Sequence, residues 1–415
     1  MKMVIIGNGP AAIAAVEAIR DVDQSCEIIM IAKEEEPCYS PCPLAEYVEG
    51  AISRENLFFR NEDFYERLKL TTLFGREALR IDTTASEVVM VDGERISYDR
   101  VLIAIGSRAF FPPIPGLNST NGVFALKTLA DAEGILQSIG TVKNAVVIGS
   151  GFIGLEAAQG LIHHGVSVTV LEVRDQVLPQ MLDADLALEV QRLLEERAIT
   201  VMLNAGVEEV IGEQGITAVK VDGEFIDCDL LICAAGVRPE LSIVEGADIQ
   251  TNHGIVVDDQ MATSHPDVFA AGDIIETNDI NGQQTLLPTW PNAVNSGRIA
   301  GYNMQGQRSP RFIGLEAINV LRVFDVPMGS FGVTEGDRIL EYSGEGVRKR
   351  LVIKENRIAG MQVLGDVSNM GLYLEMMKKR RDVSSFGDSL LSPEFGYGHT
   401  VNTVAHKTAF ATAVV

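Results

Sequence analysis

The stretch that decides the fold occurs twice in this chain. Residues 4–20 read VIIGNGPAAIAAVEAIR, and residues 146–162 read VVIGSGFIGLEAAQGLI. Each copy has a short β-branched run, a glycine-rich turn and a segment of small residues, which predicts a strand, a tight turn and a helix. The turns have the spacings G-x-G-x-x-A and G-x-G-x-x-G, so the chain contains one internal repeat.

Both turns have the residues that a dinucleotide site needs. The first glycine permits a tight bend, the second lets backbone approach a pyrophosphate, and the small third residue allows close helix packing. A helix start also offers free N–H groups to phosphate, and proline suits the first helical position. Two such turns predict two dinucleotide sites, the alternative being glycine-rich turns without a nucleotide. The candidate residues are Gly7, Gly9, Pro10, Ala11 and Ala12, and Gly149, Gly151, Phe152, Ile153 and Gly154.

Acidic residues after the next strand of each copy indicate which nucleotide binds. Glu172 stands 23 positions after Gly149 (172 − 149), where a carboxylate accepts hydrogen bonds from ribose hydroxyls and repels a 2′-phosphate. NAD(H) is therefore predicted over NADP(H), although Arg174 can soften this preference, and the alternative is a solvated surface glutamate. In the first copy Lys33 occupies the usual place, so Glu34 is the predicted ribose ligand or part of a charged loop.

Composition limits the class of protein. The chain has 415 residues, more than the ~250–300 that one core fills, so two or three domains are expected. The net charge of −23 disfavours nucleic acid and anionic membranes as partners. No apolar run reaches the ~18 residues of a membrane span. The five cysteines contain no CxxC, which argues against a local zinc or iron–sulfur site and favours the reducing cytoplasm.

Three further segments resemble signatures of FAD-dependent pyridine-nucleotide oxidoreductases. They are YDRVLIAIGS at 98–107, DLLICAAGVRP at 229–239 and TSHPDVFAAGD at 263–273. The subgroup that fits best contains NADH oxidases, rubredoxin and ferredoxin reductases, and flavin subunits of NAD-linked complexes. The resemblance implies an α/β fold with two nested Rossmann-like domains for FAD and NAD and a C-terminal mixed α/β interface domain. The implied ranges are 1–110 and 237–306 for FAD, 111–236 for NAD, and 307–415 for the interface domain.

The resemblance also implies further cofactor contacts. Asp273 is expected to accept a ribitol hydroxyl, unless it is a helix N-cap. Arg108 is expected at the FAD pyrophosphate, unless it is a surface arginine. A helix that begins near Ala293 would aim its positive end at the flavin, while Trp290 is expected to pack. The remaining predicted contacts are Ala78, Ala104, Gly106, Glu156, Gly236 and Gly272.

The proline-rich segment around Cys42 governs the chemistry expected at the flavin. Ser40 suits an N-cap and Pro41 a first helical position, with Gly50 as the stop. These residues place Cys42 in a first helical turn, where the helix dipole favours thiolate. The segment resembles the F-x-x-C-G-L motif of single-cysteine members, so Cys42 is either a redox thiol or a small residue that tunes the flavin. Its CxxxC spacing from Cys38 argues against a glutathione-reductase-type dithiol.

Two functions follow from these observations. The first is an electron-transfer flavoprotein that exchanges hydride between NAD(H) and FAD and serves an iron–sulfur protein or subunit. Such partners occur in rubredoxin and ferredoxin reductases and in aldehyde- or 2-oxoacid-oxidising complexes. The second is a single-cysteine NADH oxidase, peroxidase or CoA-disulfide reductase that uses Cys42. The basic run 378–381 (KKRR) is expected to steer an acidic partner, or is a solvated helix end.

Overall fold

The computed structural model describes residues 1–306 and 311–400, which form two compact units. The first unit comprises Met1–Val173 and Asn204–Glu316, and the second comprises Arg174–Leu203 and the chain from Ala317 onward. The helices are α1 (Pro10–Val22), α2 (Leu44–Glu49), α3 (Phe64–Arg67), α4 (Leu129–Ile139), α5 (Phe152–His163), α6 (Ala184–Glu196), α7 (Trp290–Asn303) and α8 (Met370–Lys378). Short 3-10 helices cover Arg54–Leu57, Leu241–Val244 and Gly387–Leu391.

The first copy of the repeat builds a five-stranded parallel sheet in the first unit. Its strands, in spatial order, are Val268–Ala270, Arg100–Ile103, Lys2–Ile6, Glu27–Ala32 and Thr71–Phe74. The central strand pairs Val4 with Ile29 on one side and with Val101 on the other. Consecutive residues are buried in Lys2–Ile6, Glu27–Ala32 and Arg100–Ile103, so both faces of these strands are covered, as their apolar sequences require.

The second copy builds a parallel sheet with the same local arrangement. Within the first unit its strands, in spatial order, are Ser167–Glu172, Asn144–Ile148, Leu230–Cys233 and Val123–Phe124. Val146 pairs with Thr169 and with Leu231, as Val4 pairs with its two neighbours. Each glycine-rich turn therefore leaves the carboxyl end of a central strand, which is where open α/β sheets bind their ligands.

Glycines allow α1 and α7 to pack at close range. A Cβ at Gly297 would lie 2.1 Å from the carbonyl oxygen of Ala11, and one at Gly301 would lie 2.3 Å from that of Ala15. These two glycines are one helical turn apart, so they lie on the same face of α7. The small-residue pattern of both helices thus serves a helix contact that fixes the N-terminus of α7 beside the first glycine-rich turn.

Smaller sheets complete the first unit. The first consists of Ala78–Asp82, Glu87–Met90 and Arg95–Ser97, and the second of Val207–Ile211, Ala218–Val221 and Glu224–Asp227. A third joins Ser107–Ala109 to Val237–Pro239, and a fourth contains Ile255–Val256, Ile275–Asn278 and Gln284–Thr285. The third sheet pairs the segments that follow the Arg100–Ile103 and Leu230–Cys233 strands.

The second unit has an antiparallel sheet. Its strands, in spatial order, are Ile318–Val323, Val326–Gly332, Arg357–Leu364, Val347–Lys354 and Arg338–Gly344. Helix α8 supplies Tyr373 to a buried cluster with Leu351 and Met361 of the sheet. The unit also contains α6 and the strand Ile199–Leu203. Arg350 forms an ion pair with Asp183, the N-cap of α6.

This architecture confirms the predicted fold class. Two Rossmann-like regions are followed by a C-terminal mixed α/β region, described for residues 311–400. The predicted domain boundaries at 110, 236 and 306 stay predictions. Residues 174–203, predicted within the NAD domain, belong to the same compact unit as the C-terminal sheet. Within the described ranges, no helix has both the length and the apolar character to cross a membrane.

Candidate active site

The first glycine of each turn is required by its backbone. Gly7 has φ of 120°, and a Cβ there would lie 2.2 Å from the carbonyl oxygen of Ala104. Gly149 has φ of 99°, and its Cβ would lie 2.6 Å from the carbonyl oxygen of Ala234. Each turn is thus pressed against the chain that leaves the neighbouring parallel strand, and a side chain at either position would clash with backbone.

The second glycine of each turn has a different reason to be glycine. Gly9 and Gly151 have ordinary φ values of −87° and −72°, and apart from the adjacent residues no protein atom lies within 4 Å of a Cβ added to either. Neither backbone strain nor packing within the protein excludes a side chain there. Both residues are N-caps, of α1 and α5, and neither helix has a side-chain cap. The open space lies at uncapped helix N-termini, which fits a pyrophosphate at each turn.

Glu172 is buried beside the second turn. Its side chain accepts hydrogen bonds from the backbone N–H of Ser150 at 2.9 Å and from the Ser150 hydroxyl at 2.7 Å. The residue is only 7% exposed, so the solvated-surface alternative does not apply. The carboxylate holds the middle residue of the turn and stands where a ribose ligand is predicted. Its contact with ribose stays a prediction.

The acidic residue of the first turn has a different environment. Asn8, the middle residue of that turn, is held by the Tyr65 hydroxyl at 2.9 Å and the carbonyl oxygen of Glu36 at 3.2 Å. Glu34 is exposed and accepts a hydrogen bond from the Tyr39 hydroxyl at 2.6 Å. Exposed Lys33 pairs with Glu77 at 3.0 Å. Both residues lie after the strand Glu27–Ala32, so either can meet a ribose, and this assignment stays open.

Asp273 lies in a polar cluster at the carboxyl end of the first sheet. One carboxylate oxygen accepts a hydrogen bond from the Ser107 hydroxyl at 2.9 Å and faces the Lys127 ammonium at 3.4 Å. The strand Ile275–Asn278 follows, so Asp273 is not a helix N-cap. No motif marks Lys127, because its contact with Asp273 joins residues 146 positions apart. Lys127 places a cation at the candidate flavin site.

Helix α7 begins where the sequence predicts. Thr289 caps it by accepting a hydrogen bond from the backbone N–H of Asn292, and Trp290 occupies its first position. Trp290 packs edge-on against Phe59 with ring centroids 5.1 Å apart, as expected for a packing role. The Ser296 hydroxyl accepts a hydrogen bond from the backbone N–H of Gly272 at 3.0 Å. The positive end of α7 is thereby held near Asp273, which suits a developing negative charge on a bound flavin.

The predicted helix start at Pro41 is wrong. Helix α2 begins at Leu44 with Pro43 as its N-cap, although Gly50 ends it in a left-handed conformation as predicted. The Ser40 hydroxyl accepts instead from the backbone N–H of Cys42 at 3.3 Å, two residues on. Cys42 therefore precedes a helix of only six residues, and the dipole argument for a thiolate loses its basis.

Electrostatics around Cys42 also favour the neutral thiol. Its side chain is exposed to solvent, yet desolvation by nearby protein atoms is the largest effect and raises its pKa. Glu156 and Glu46 raise the pKa further, whereas a hydrogen bond to Ser40 and the charge of Lys127 lower it. The balance lies above the ordinary value, which disfavours a thiolate at neutral pH.

Glu156 lies on the helix that leaves the second turn. Helices α2 and α5 are in van der Waals contact, since a Cβ at Gly160 would lie 3.4 Å from the carbonyl oxygen of Ala45. Glu156 is one turn before Gly160 on α5, and Glu46 follows Ala45 on α2. Desolvation, and then the negative charge of Glu46, raise the pKa of Glu156 from 4.5 to about 7.

The other residues predicted to contact a cofactor have different environments. Arg108 is exposed and pairs with Glu240 at 3.1 Å, which favours the surface alternative. Ala78 lies in the outer strand Ala78–Asp82. The remaining positions border the two turns, α7 or Cys42, and their cofactor contacts stay predictions. They are Pro10, Ala11, Ala12, Ser40, Pro41, Ala104, Gly106, Phe152, Ile153, Gly154, Gly236, Gly272 and Ala293. Within residues 1–306 and 311–400, no His, Cys, Asp and Glu cluster can hold a metal ion.

Comparison with known proteins agrees with this geometry. The profile of the pyridine nucleotide-disulphide oxidoreductase family matches residues 1–297. An NADH oxidase of Methanocaldococcus jannaschii is 35% identical over 99% of this chain and 98% of its own length. The chain belongs to the pyridine nucleotide-disulphide oxidoreductase family. It is a flavin-dependent oxidoreductase whose cofactors are FAD and NAD(H).

Two other similar proteins are named for different roles. The NADH-dependent phenylglyoxylate dehydrogenase subunit epsilon of Aromatoleum evansii is 27% identical over 96% of this chain and 97% of its own length. The crystal structure of NADH:rubredoxin oxidoreductase from Clostridium acetobutylicum has a TM-score of 0.77 and 26% identity, covering 93% of this chain and 97% of that one. The chain spans about half the length of the nitrate and nitrite reductase relatives from Bacillus subtilis.

Proposed function

We propose that this protein is an electron-transfer flavoprotein that moves hydride between NAD(H) and FAD and exchanges electrons with a separate iron–sulfur protein or subunit. The observation that carries the proposal is the environment of Cys42. A thiol with a raised pKa, ahead of a six-residue helix and beside two carboxylates, is a poor nucleophile at neutral pH. Transfer of single electrons through a flavin needs no thiol.

The similar proteins support an external acceptor or donor. One is a subunit of a dehydrogenase that acts on phenylglyoxylate, which is a 2-oxoacid, and another is a rubredoxin reductase. The NADH oxidase is compatible with either function. Because the sequence contains no local cluster-binding motif, the iron–sulfur centre is assigned to another polypeptide.

Residues of the first unit would form both cofactor sites. The turn at Gly9 and the N-terminus of α1 would hold the FAD pyrophosphate, and Asp273 would accept a ribitol hydroxyl. The turn at Gly151 and the N-terminus of α5 would hold the NAD pyrophosphate, with Glu172 on the ribose. Bound FAD supplies hydride exchange and single-electron transfer. Lys127 and the positive end of α7 supply positive potential where negative charge develops.

A partner surface is proposed on the second unit. Lys378 ends α8, and the next three residues, Lys379, Arg380 and Arg381, extend the basic run beyond the helix. Lys379 pairs with Glu375 at 2.8 Å, and Arg381 donates to the carbonyl oxygen of Thr400. Lys379 and Arg380 are exposed. On a chain with net charge −23 this basic run suits an acidic redox partner, and the reducing cytoplasm is the proposed compartment.

The alternative function is a thiol mechanism at Cys42, and Cys42→Ser separates the two. Turnover would be measured as NADH-dependent ferricyanide reduction per bound FAD, with Cys233→Ser, a buried strand cysteine, as control. The electron-transfer proposal predicts that Cys42→Ser keeps this turnover, and any turnover with oxygen, peroxide or disulfide, within ~3-fold, which is ~0.7 kcal/mol in barrier. Loss of oxygen, peroxide and disulfide turnover in Cys42→Ser, in a wild type that has them, would favour the thiol mechanism.

A further inference from the structure

A pair of carboxylates faces Cys42 from two different helices. Glu46 lies on α2 and Glu156 on α5, and both act electrostatically on the Cys42 thiol. The helices are in close contact, since a Cβ at Gly160 would lie 3.4 Å from the carbonyl oxygen of Ala45. Glu156 is the inner member of the pair and is half-buried, whereas Glu46 is exposed.

The surroundings of this pair include residues of both candidate cofactor sites. On the side of the first turn, Asp273 faces Lys127 at 3.4 Å, and Lys127 acts on Cys42. On the side of the second turn, Glu156 lies in α5, the helix that begins at Gly151. Charged side chains that act on Cys42 therefore come both from the candidate flavin site, as Lys127, and from the helix that leaves the second turn, as Glu156.

Neighbouring charges define the electrostatic environment of Glu156. Glu46 is the one charged group whose charge raises its pKa. One turn further along, Glu49 bonds to Gln159 at 3.2 Å and faces His163 at 3.1 Å, and His164 contacts the carbonyl oxygen of Val48 at 2.6 Å. Lys127 bonds to Asp273. No cation forms an ion pair with Glu156 among the described residues.

The proposed reaction must dispose of one proton. When NADH becomes NAD⁺ and its two electrons leave singly to an iron–sulfur acceptor, one proton remains per NADH. We propose that Glu156 takes up this proton inside the site and passes it through Glu46 to solvent, and that it supplies the proton when electrons flow towards NAD⁺. The inference rests on the proposed function, because a two-electron acceptor that also takes a proton would leave none behind.

Protonation near neutral pH suits this role. A group accepts and releases protons most effectively when its pKa is near the working pH, and Glu156 has a pKa of about 7. The first test is the pH profile of NADH:ferricyanide turnover in Glu156→Gln, Glu46→Gln and the control Glu49→Gln. Ferricyanide takes single electrons without a protein partner, so a wrong partner assignment leaves this test intact.

The expected profiles differ among the variants. Wild-type turnover rises with pH through about 7, and Glu156→Gln is at least ~10-fold slower with a flat profile. Glu46→Gln shifts the midpoint to lower pH because it removes the charge that raises the pKa of Glu156. Glu49→Gln follows the wild type. An unaltered rate in Glu156→Gln would overturn the proposal. A lower rate with an unaltered pH profile would also overturn it and would assign Glu156 a structural role only.

A second readout does not depend on turnover. Because the pKa of folded Glu156 lies above its ordinary 4.5, the folded protein binds more protons between pH 4.5 and about 7. The contribution of Glu156 to the free energy of unfolding is therefore greatest in acid and is lost as the pH rises through that window. Urea unfolding of the purified flavoprotein from pH 5 to 8 should show Glu156→Gln gaining stability relative to wild type. A constant difference across this range would show that Glu156 does not change its protonation near neutral pH and would contradict the proposal.

Discussion

The two copies of the repeat share a strand, a turn and a helix, but they stabilise the turn differently. In the first copy Asn8 is held by Tyr65, and the acidic residue Glu34 is exposed. In the second copy Ser150 is held by the buried carboxylate of Glu172. The acidic residue is thus independent of the turn at one site and part of it at the other.

The helices that leave the turns also have different neighbours. Helix α1 packs against α7 through Gly297, with almost no space between the backbones, whereas α5 packs against α2 with room for a methyl group at Gly160. The first site is bordered by segments distant in sequence, including the one that carries Asp273 and α7. We infer that one motif holds FAD as a resident group at this site and NAD(H) as an exchanging substrate at the other.

The largest expected effect comes from filling the open space at the second glycine of each turn. Gly9→Val should lower FAD affinity at least ~100-fold, about 2.7 kcal/mol, because its side chain would occupy the pyrophosphate space. The backbone at Gly9 is extended, which valine tolerates, so the fold is retained. Flavin absorbance per protein in the purified variant measures this.

The matched variant Gly151→Val separates the sites. It should keep the yellow FAD spectrum and lose NADH binding by a similar factor, measured by anaerobic titration. If Gly151→Val lost the flavin and Gly9→Val kept it, the assignment of the two sites would be reversed.

The next prediction tests the two helix contacts through the free energy of unfolding. Gly297→Ala should lower the free energy of unfolding by about 1–3 kcal/mol, since its Cβ would lie 2.1 Å from a backbone oxygen. Gly160→Ala should be neutral or stabilising by up to ~1 kcal/mol, because its Cβ has 3.4 Å of space and alanine favours a helix. Urea unfolding of both variants gives the comparison. Equal destabilisation would show that α1 and α5 are packed alike.

The smallest expected effect concerns nucleotide preference. Glu172→Ala should raise the KM for NADH about 10-fold and reduce the preference over NADPH, because it removes both the ribose acceptor and the repulsion of a 2′-phosphate. Ser150→Ala removes only the hydrogen bond from the Ser150 hydroxyl to Glu172, keeps the one from the backbone N–H, and should leave the preference unchanged. Steady-state kinetics with both nucleotides would test this, and an unchanged NADH:NADPH ratio in Glu172→Ala would refute the ribose assignment.

Sequence patterns predicted the elements that depend on local spacing and missed the contacts between residues distant along the chain. Both turns, the helix at Trp290 and the parallel strands follow from short periodic patterns. The helix start near Cys42 was wrong because Ser40 is fixed elsewhere: its backbone N–H donates to the carbonyl oxygen of Leu57, and Tyr39 pairs with Phe58. Tertiary contacts there outweigh the capping preference.

Two functional neighbours had no sequence signal. Lys127 reaches Asp273 across 146 residues, and the Glu46–Glu156 pair depends on how α2 meets α5. Such pairs depend on folded distance rather than on spacing along the chain, so no motif marks them. The sequence could place Glu172 beside the second turn because one helix and one strand fix its distance from that turn, while its contact with ribose stays a prediction.

The most direct test of twin cofactor sites is an anaerobic titration of the purified protein with NADH, followed by flavin absorbance. We expect about one FAD per chain, bleached by about one equivalent of NADH, with Gly151→Val bleaching only at far higher NADH. A colourless protein that does not take up added FAD, or a bound flavin that NADH leaves oxidised, would contradict the account.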